Sequence, residues 1–293
     1  MSALEAVLRP VALPVHASRQ RLTLWVGSPF GLPIGLHASF LIAFLILTFT
    51  LGDEILPRLL RDDDLAARTA LGAAATLFLF LSVLAHELAH GLAARRLGMS
   101  VDGVVLFALG GVVSIDGGPA RARDEAIVTA VGPIASICIA AGSSAGFALL
   151  RGSAPPAVTL LLLFLALTNG SLAAFNLIPS VPLDGGRLLH SLLWRLTGSA
   201  IAASRYASAL GIVVAALIVM LGVRHEVAGD HLDALWYVAT GLYLGWGAAT
   251  EMLQARADSA ALSGGSVDLA TAAGATLCPA EQLATDYGSE SVS

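Results

Sequence analysis

The 293 residues include 56% hydrophobic and only 13% charged side chains, with a mean hydropathy of +0.80, a balance that excludes an ordinary water-soluble globular domain. The formal net charge of −5 comes from acidic groups spread over loops and tail, with no basic stripe, which excludes nucleic acid as a partner. Uncharged runs at Leu22–Gly52, Thr69–Ala85, Ala126–Leu150, Gly152–Leu183, Tyr206–Val223 and Ala234–Thr250 each approach or exceed the roughly 17–25 residues of a spanning helix. The expected fold is therefore an all-α polytopic membrane protein of about six transmembrane helices, multi-pass in the cell membrane with the lipid bilayer around it.

Residues 1–21 contain Arg9, Pro10, Pro14, His16 and Arg19 and no apolar core ending in a cleavage site, so they read as a cytoplasmic N-terminal segment rather than a signal peptide. The first span is expected at about 34–52, entered through Gly27-Ser-Pro-Phe-Gly-Leu-Pro-Ile-Gly-Leu-His37. His37 either lines a water path or touches a ligand, or is an ordinary interfacial histidine; His16, His190, His225 and His231 are weaker candidates still. Asp53–Arg68 reads as an external loop.

The second span, about 69–97, carries His86-Glu87-Leu88-Ala89-His90 near its end. Residues i and i+4 share a helix face, so His86 and His90 can offer two ring nitrogens to one cation, with Glu87 beside them as a base for an activated water. Ionisable side chains at membrane depth are costly and usually face a functional cavity. A catalytic zinc takes three protein ligands and leaves one position open, so a third ligand is needed. Cys138 and Cys278 form no CxxC pair, which leaves His, Asp or Glu to supply it.

The 13 uncharged residues Gly103–Ile115 are too short to span and rich in β-formers around Gly110-Gly111. They predict a small re-entrant β-hairpin between helices 2 and 3. Spans at about 125–150 and 157–178 follow, and the latter runs into Asn176-Leu-Ile-Pro179-Ser-Val-Pro-Leu-Asp184-Gly185-Gly-Arg187. Pro179, Pro182 and the glycine pair stop a regular helix, and broken backbone at membrane depth is tolerated where it lines a cavity. Asp184 is the candidate third ligand there, and Asn176 can satisfy freed backbone groups or bond an extended ligand strand. The other reading is an ordinary interfacial loop with an aspartate in water. Spans at about 200–223 and 233–253 complete the count. Residues 256–293, rich in Ala, Ser, Gly and acidic groups, read as a disordered cytoplasmic tail. With both termini inside, eleven of the 16 arginines (9, 19, 21, 95, 96, 121, 123, 187, 195, 205 and 256) are cytoplasmic, which favours that orientation and a cytoplasmic opening near His86 and His90.

His86–His90 in one span, followed some 90 residues later by Asn176–Arg187, resembles the site-2 protease family of intramembrane zinc metalloproteases over about residues 22–255. The resemblance implies one Zn2+ per chain held by His86, His90 and Asp184, with Glu87 as catalytic base. It further implies that the hairpin offers an edge strand to an unwound substrate. Asn176, Pro179, Gly185, Gly110 and Gly111 are then substrate-binding or supporting residues, with His37 a weaker candidate. Substrates of that family are single-span membrane proteins, such as anti-sigma factors or membrane-bound transcription factor precursors, cut within the membrane. The segment before the first span is similar to that of members lacking a PDZ domain. Two other classes remain, a catalytically idle homologue acting as a membrane scaffold and a metal transporter using the same ligands.

Overall fold

Two strands precede the first helix, where the sequence indicated the start of a span. The computed structural model describes residues 22–55, 64–108, 110–116 and 118–275, with backbone alone for 53–55 and 261–275; residues 1–21, much of the Asp53–Arg68 loop and the tail beyond 275 lie outside the described residues. Strand β1 (Thr23–Gly27) and strand β2 (Ile34–His37) pair antiparallel across a short 3-10 turn at Pro29–Gly31. The prolines and glycines of this segment keep a helix from starting before Ala38, where the His37 ring accepts from the Ser39 amide as an N-cap. Helix α1 (Ala38–Phe49) then runs into a π-helical turn at Thr50–Ile55.

Helix α2 (Leu65–Arg96) is capped by Asp64, which accepts from the Ala66 amide. Its 32 residues reach about 48 Å at 1.5 Å per residue, more than a bilayer core of about 30 Å. Arg95 and Arg96 occupy the last turn, where positive charge suits the helix dipole, and Gly98 takes the left-handed conformation that ends it (φ +83°). Strands β3 (Ser100–Phe107) and β4 (Gly110–Asp116) follow as an antiparallel hairpin. The hairpin is half of a larger element: β2 pairs parallel with β3, in the register Ile34 to Val104 and Leu36 to Leu106, giving a four-stranded sheet of order β1-β2-β3-β4. The description "all-α with a hairpin" is corrected accordingly. β1 and β2 escaped notice because they lie inside one uncharged run, where composition does not separate strand from helix.

Helix α3 (Ala122–Leu150) and helix α4 (Pro156–Asn176) come next, then an irregular stretch to Leu183 and the amphipathic helix α5 (Asp184–Thr197), closed by Gly198 in the left-handed region. Helices α6 (Ala200–Ala228) and α7 (His231–Ala275) pair along a glycine seam, where a Cβ on Gly241 would sit 2.9 Å from the Ala215 carbonyl oxygen. Among the described residues four helices are long and apolar enough to cross a membrane, namely α2, α3, α4 and α6; the apolar helix Ala38–Gly52 is shorter. Of the segment 256–293 that reads as a disordered tail, residues 256–275 continue helix α7, in keeping with the helix propensity of its alanines, and the rest lies outside the described residues.

Two buried clusters flank the functional region. Ala93, Ala94 and Val128, with Met99, Val101, Ile115 and Val131, join the end of α2 to the hairpin and α3. Leu183, Ala215 and Leu244, with Ile178 and Ile218, hold the stretch before α5 against α6 and α7.

Candidate metal centre

The buried side of α2 carries Ser82, His86, His90 and Ala94 at four-residue intervals, so the two imidazoles lie one turn apart on the same face, 3% and 8% exposed. Their inner nitrogens are both engaged by α3. His90 Nδ1 lies 2.6 Å from the Val128 carbonyl oxygen. A carbonyl only accepts, so Nδ1 donates, and the neutral ring presents a bare lone pair at Nε2. His86 Nδ1 lies 2.9 Å from Oγ of the fully buried Ser136, a hydroxyl able to accept from Nδ1–H and leave Nε2 free in the same way. Partners of this kind fix the tautomer and aim of metal-binding histidines.

The third group arrives from the far side of the chain. The helix of α4 ends at Asn176, Pro179 and Pro182 prevent its continuation, and α5 restarts with Asp184 in its first turn. Gly185 and Gly186 make this restart possible: a Cβ on Gly185 would collide with the carbonyls of Leu177 and Ile178, and one on Gly186 with the backbone at Ser180 and Val181. Asp184 Oδ2 is then 3.1 Å from His86 Nε2 and 3.4 Å from His90 Nε2, while the two Nε2 atoms are 3.2 Å apart.

These three edges form one triangular face of a tetrahedron. Zinc bonds of about 2.0–2.1 Å in tetrahedral geometry require ligand separations of about 3.3 Å. Two lone pairs and a carboxylate at such distances need a positive charge between them, a proton or a metal ion, and an N, N, O donor set suits zinc with a fourth position left over. The residues therefore fit the ion that the sequence implied. Among the described residues, His86, His90 and Asp184 are the one group of three or more such side chains placed to hold a metal.

Gly132 of α3 gives the centre its room. A Cβ there would collide with the His90 ring and lie 2.8 Å from His86 Nε2, so any other side chain would occupy the space beside the two rings. Glu87 is backed by the hairpin: a Cβ on Gly111 would sit 2.5 Å from Glu87 Cγ. Gly110, at the turn, has φ +147° and open space at its Cβ position. Asn176 donates its amide to the Leu172 carbonyl of its own helix, 3.0 Å away, and Pro179 lies in the irregular stretch between α4 and α5. His37 bonds Ser39 Oγ at 2.8 Å and caps α1. Sequence reasoning missed Val128, Gly132 and Ser136. The available signal was Gly132-Pro133 inside an apolar span, with Ser136 one turn on.

The sequence matches the profile of peptidase family M50 over residues 74–154 and 151–221, which takes in both histidines and Asp184. It is 35% identical over 223 residues to the "Putative zinc metalloprotease Rip3" of Mycobacterium tuberculosis, covering 75% of this chain and 55% of that protein. It is 31% identical over 221 residues to the "Putative zinc metalloprotease sll0528" of a Synechocystis strain, covering 75% and 57%. Over 196 residues it is 30% identical to the "Zinc metalloprotease MJ0392" of Methanocaldococcus jannaschii, covering 66% and 51%. The chain spans about half the length of the curated relatives it matches.

Proposed function

The chain belongs to peptidase family M50, and from that premise we propose that it is a zinc metalloendopeptidase cutting a peptide bond within or beside a transmembrane segment. The observation that carries this reading is the triangle of His86 Nε2, His90 Nε2 and Asp184 Oδ2, with edges of 3.1, 3.2 and 3.4 Å. These three atoms would hold a zinc ion, which would supply a Lewis acid and an acidified water for hydrolysis. Glu87 takes the proton of the attacking water on its carboxylate and returns it to the leaving amine. Ser136 and the Val128 carbonyl hold the two rings in the tautomer that keeps Nε2 available.

A helical substrate hides its carbonyls in backbone hydrogen bonds and must unwind to be attacked. The last strand in the sheet order, β4, offers its free edge for strand addition. Its Gly111 backs Glu87, which favours an extended segment laid beside the base. Gly110, Asn176, Pro179 and Gly185 are assigned supporting roles in substrate binding. The substrate class is a single-span, membrane-tethered regulator such as an anti-sigma factor or a transcription factor precursor. The reading includes six spans, with α1 and the first half of α7 added to the four long helices, and a cytoplasmic opening on the arginine-rich side.

Purified full chain and its Glu87→Gln variant, given a single-span peptide substrate with zinc content measured in both, test the reading. Cleavage by the first, lost in the second at equal zinc, is expected. Zinc-loaded protein that never cleaves would make it an idle homologue, and zinc flux into vesicles that survives Glu87→Gln would make it a transporter.

A further inference from the structure

One face of α3 supports the metal centre at helical spacing. Ser136 holds His86, Gly132 makes room for both rings, and the Val128 carbonyl holds His90. One turn earlier on the same helix, Glu125 Oε2 lies 2.7 Å from Nδ1 of His190. His190 belongs to α5, the helix whose first residue is Asp184, six positions and about 9 Å of helix away. The pair lies beside a small cavity whose walls include Arg187, Ser204 and Glu251.

We propose that Glu125 and His190 are positioning residues for the metal centre: they dock α5 on α3 so that Asp184 Oδ2 stands at bonding distance from an ion held by His86 and His90. Three observations carry this. Glu125 is 6% exposed and sits in the first turn of α3, where helix geometry favours its negative charge. His190 faces acceptors with both ring nitrogens, since Nε2 lies 3.2 Å from the Ala200 carbonyl oxygen. Only the doubly protonated ring can donate to both, so the bond to Glu125 is charge-assisted and directional. The fully buried residues of α5 are Gly185, Gly186 and Ser191; the two glycines carry no side chain and the Ser191 hydroxyl donates to the Leu188 carbonyl of its own helix, so none of them ties α5 to α3 through a polar bond. The pair thus ties the helix that delivers the third ligand to the one that already sets the other two.

This inference rests on the zinc reading above. The test uses the 293-residue chain in detergent micelles, with zinc affinity measured by chelator competition and the visible spectrum of the Co2+-substituted protein as a second readout. Glu125→Ala and His190→Ala are expected to weaken zinc binding by about tenfold, at the low end of the effect of partners that support metal ligands. They should also shift the Co2+ bands, and the double variant should be no worse than either single one. Ser204→Ala, in the same cavity wall and bonded to Glu251 at 2.9 Å, should leave affinity and spectrum unchanged. Glu125→Asp keeps the charge and shortens the reach; it should fold and still move the Co2+ bands, and it decides the matter where the alanine variants do not fold. Wild-type affinity and spectrum in folded Glu125→Asp would overturn the inference, as would an equal loss in Ser204→Ala. Failure of the unmodified chain to bind zinc would instead overturn the reading beneath it.

Discussion

At the scale of single residues, the centre divides into groups that carry letters in the sequence and groups that do not. His86, Glu87 and His90 were legible because the four-residue spacing itself implies a shared face. Asp184 was legible because a broken backbone in an apolar run needs a reason. Val128 was not legible, because it contributes a main-chain carbonyl that any residue would supply. Gly132 contributes only the absence of a side chain. Its replacement is nevertheless predicted to be severe: in Gly132→Ala the new methyl meets two imidazoles already fixed by Ser136 and Val128. Zinc affinity should fall at least tenfold, and overpacking should cost about 1–3 kcal/mol, measured by chelator competition and thermal melts. Glu87→Gln, by contrast, should keep its zinc and lose about 10²–10⁴-fold in cleavage rate, the range for a positioned base, measured in single-turnover assays.

At the scale of elements, the long helices were legible from uncharged length, and the sheet was legible only in part. Gly103–Ile115 announced strands because it is too short to span. β1 and β2 did not, since Leu22–Gly52 is uncharged throughout and only the prolines and glycines between Gly27 and Gly35 hint that its first half is not helical. The docking of α5 on α3 was invisible because His190 and Glu125 are 65 residues apart. It makes a prediction in pH. Burial disfavours the charged His190 ring, but its bond to Glu125 and the nearby charges of Glu125 and Glu251 outweigh this and hold its pKa above that of an ordinary histidine; Arg187 is the other charged group at the cavity. The stabilisation is therefore complete below the unfolded value of about 6.5 and is lost as pH rises through the folded one. The melting temperature of the wild type should exceed that of Glu125→Gln most at about pH 6, with the gap narrowing toward alkaline pH. A gap independent of pH would contradict a charged pair. At the α6–α7 seam, Gly241→Val would drive a branched side chain against Val219 and the Ala215 carbonyl and should destabilise the pair by about 1–3 kcal/mol, measured by denaturation in mild detergent.

At the scale of the whole molecule, helices far apart in sequence meet at one point. α2 brings two nitrogens, α5 one carboxylate oxygen, α3 the supports, and the sheet stands behind Glu87. Composition revealed the membrane class but could not reveal this convergence, since distance along the chain says nothing about distance in space. A ligand that bridges α2 and α5 should stabilise the assembly as a unit: zinc at about 100 times its Kd should add about 2.7 kcal/mol and raise the melting temperature, an increment absent in Asp184→Ala. The most direct measurement is X-ray absorption at the zinc edge on the purified, zinc-loaded chain, beside Asp184→Ala. Two imidazole nitrogens and oxygen ligands at about 2.0–2.1 Å, with one oxygen scatterer altered in the variant, are expected. A zinc shell identical in the two proteins, or one containing sulfur, would contradict the shared hold of His86, His90 and Asp184 on a single ion.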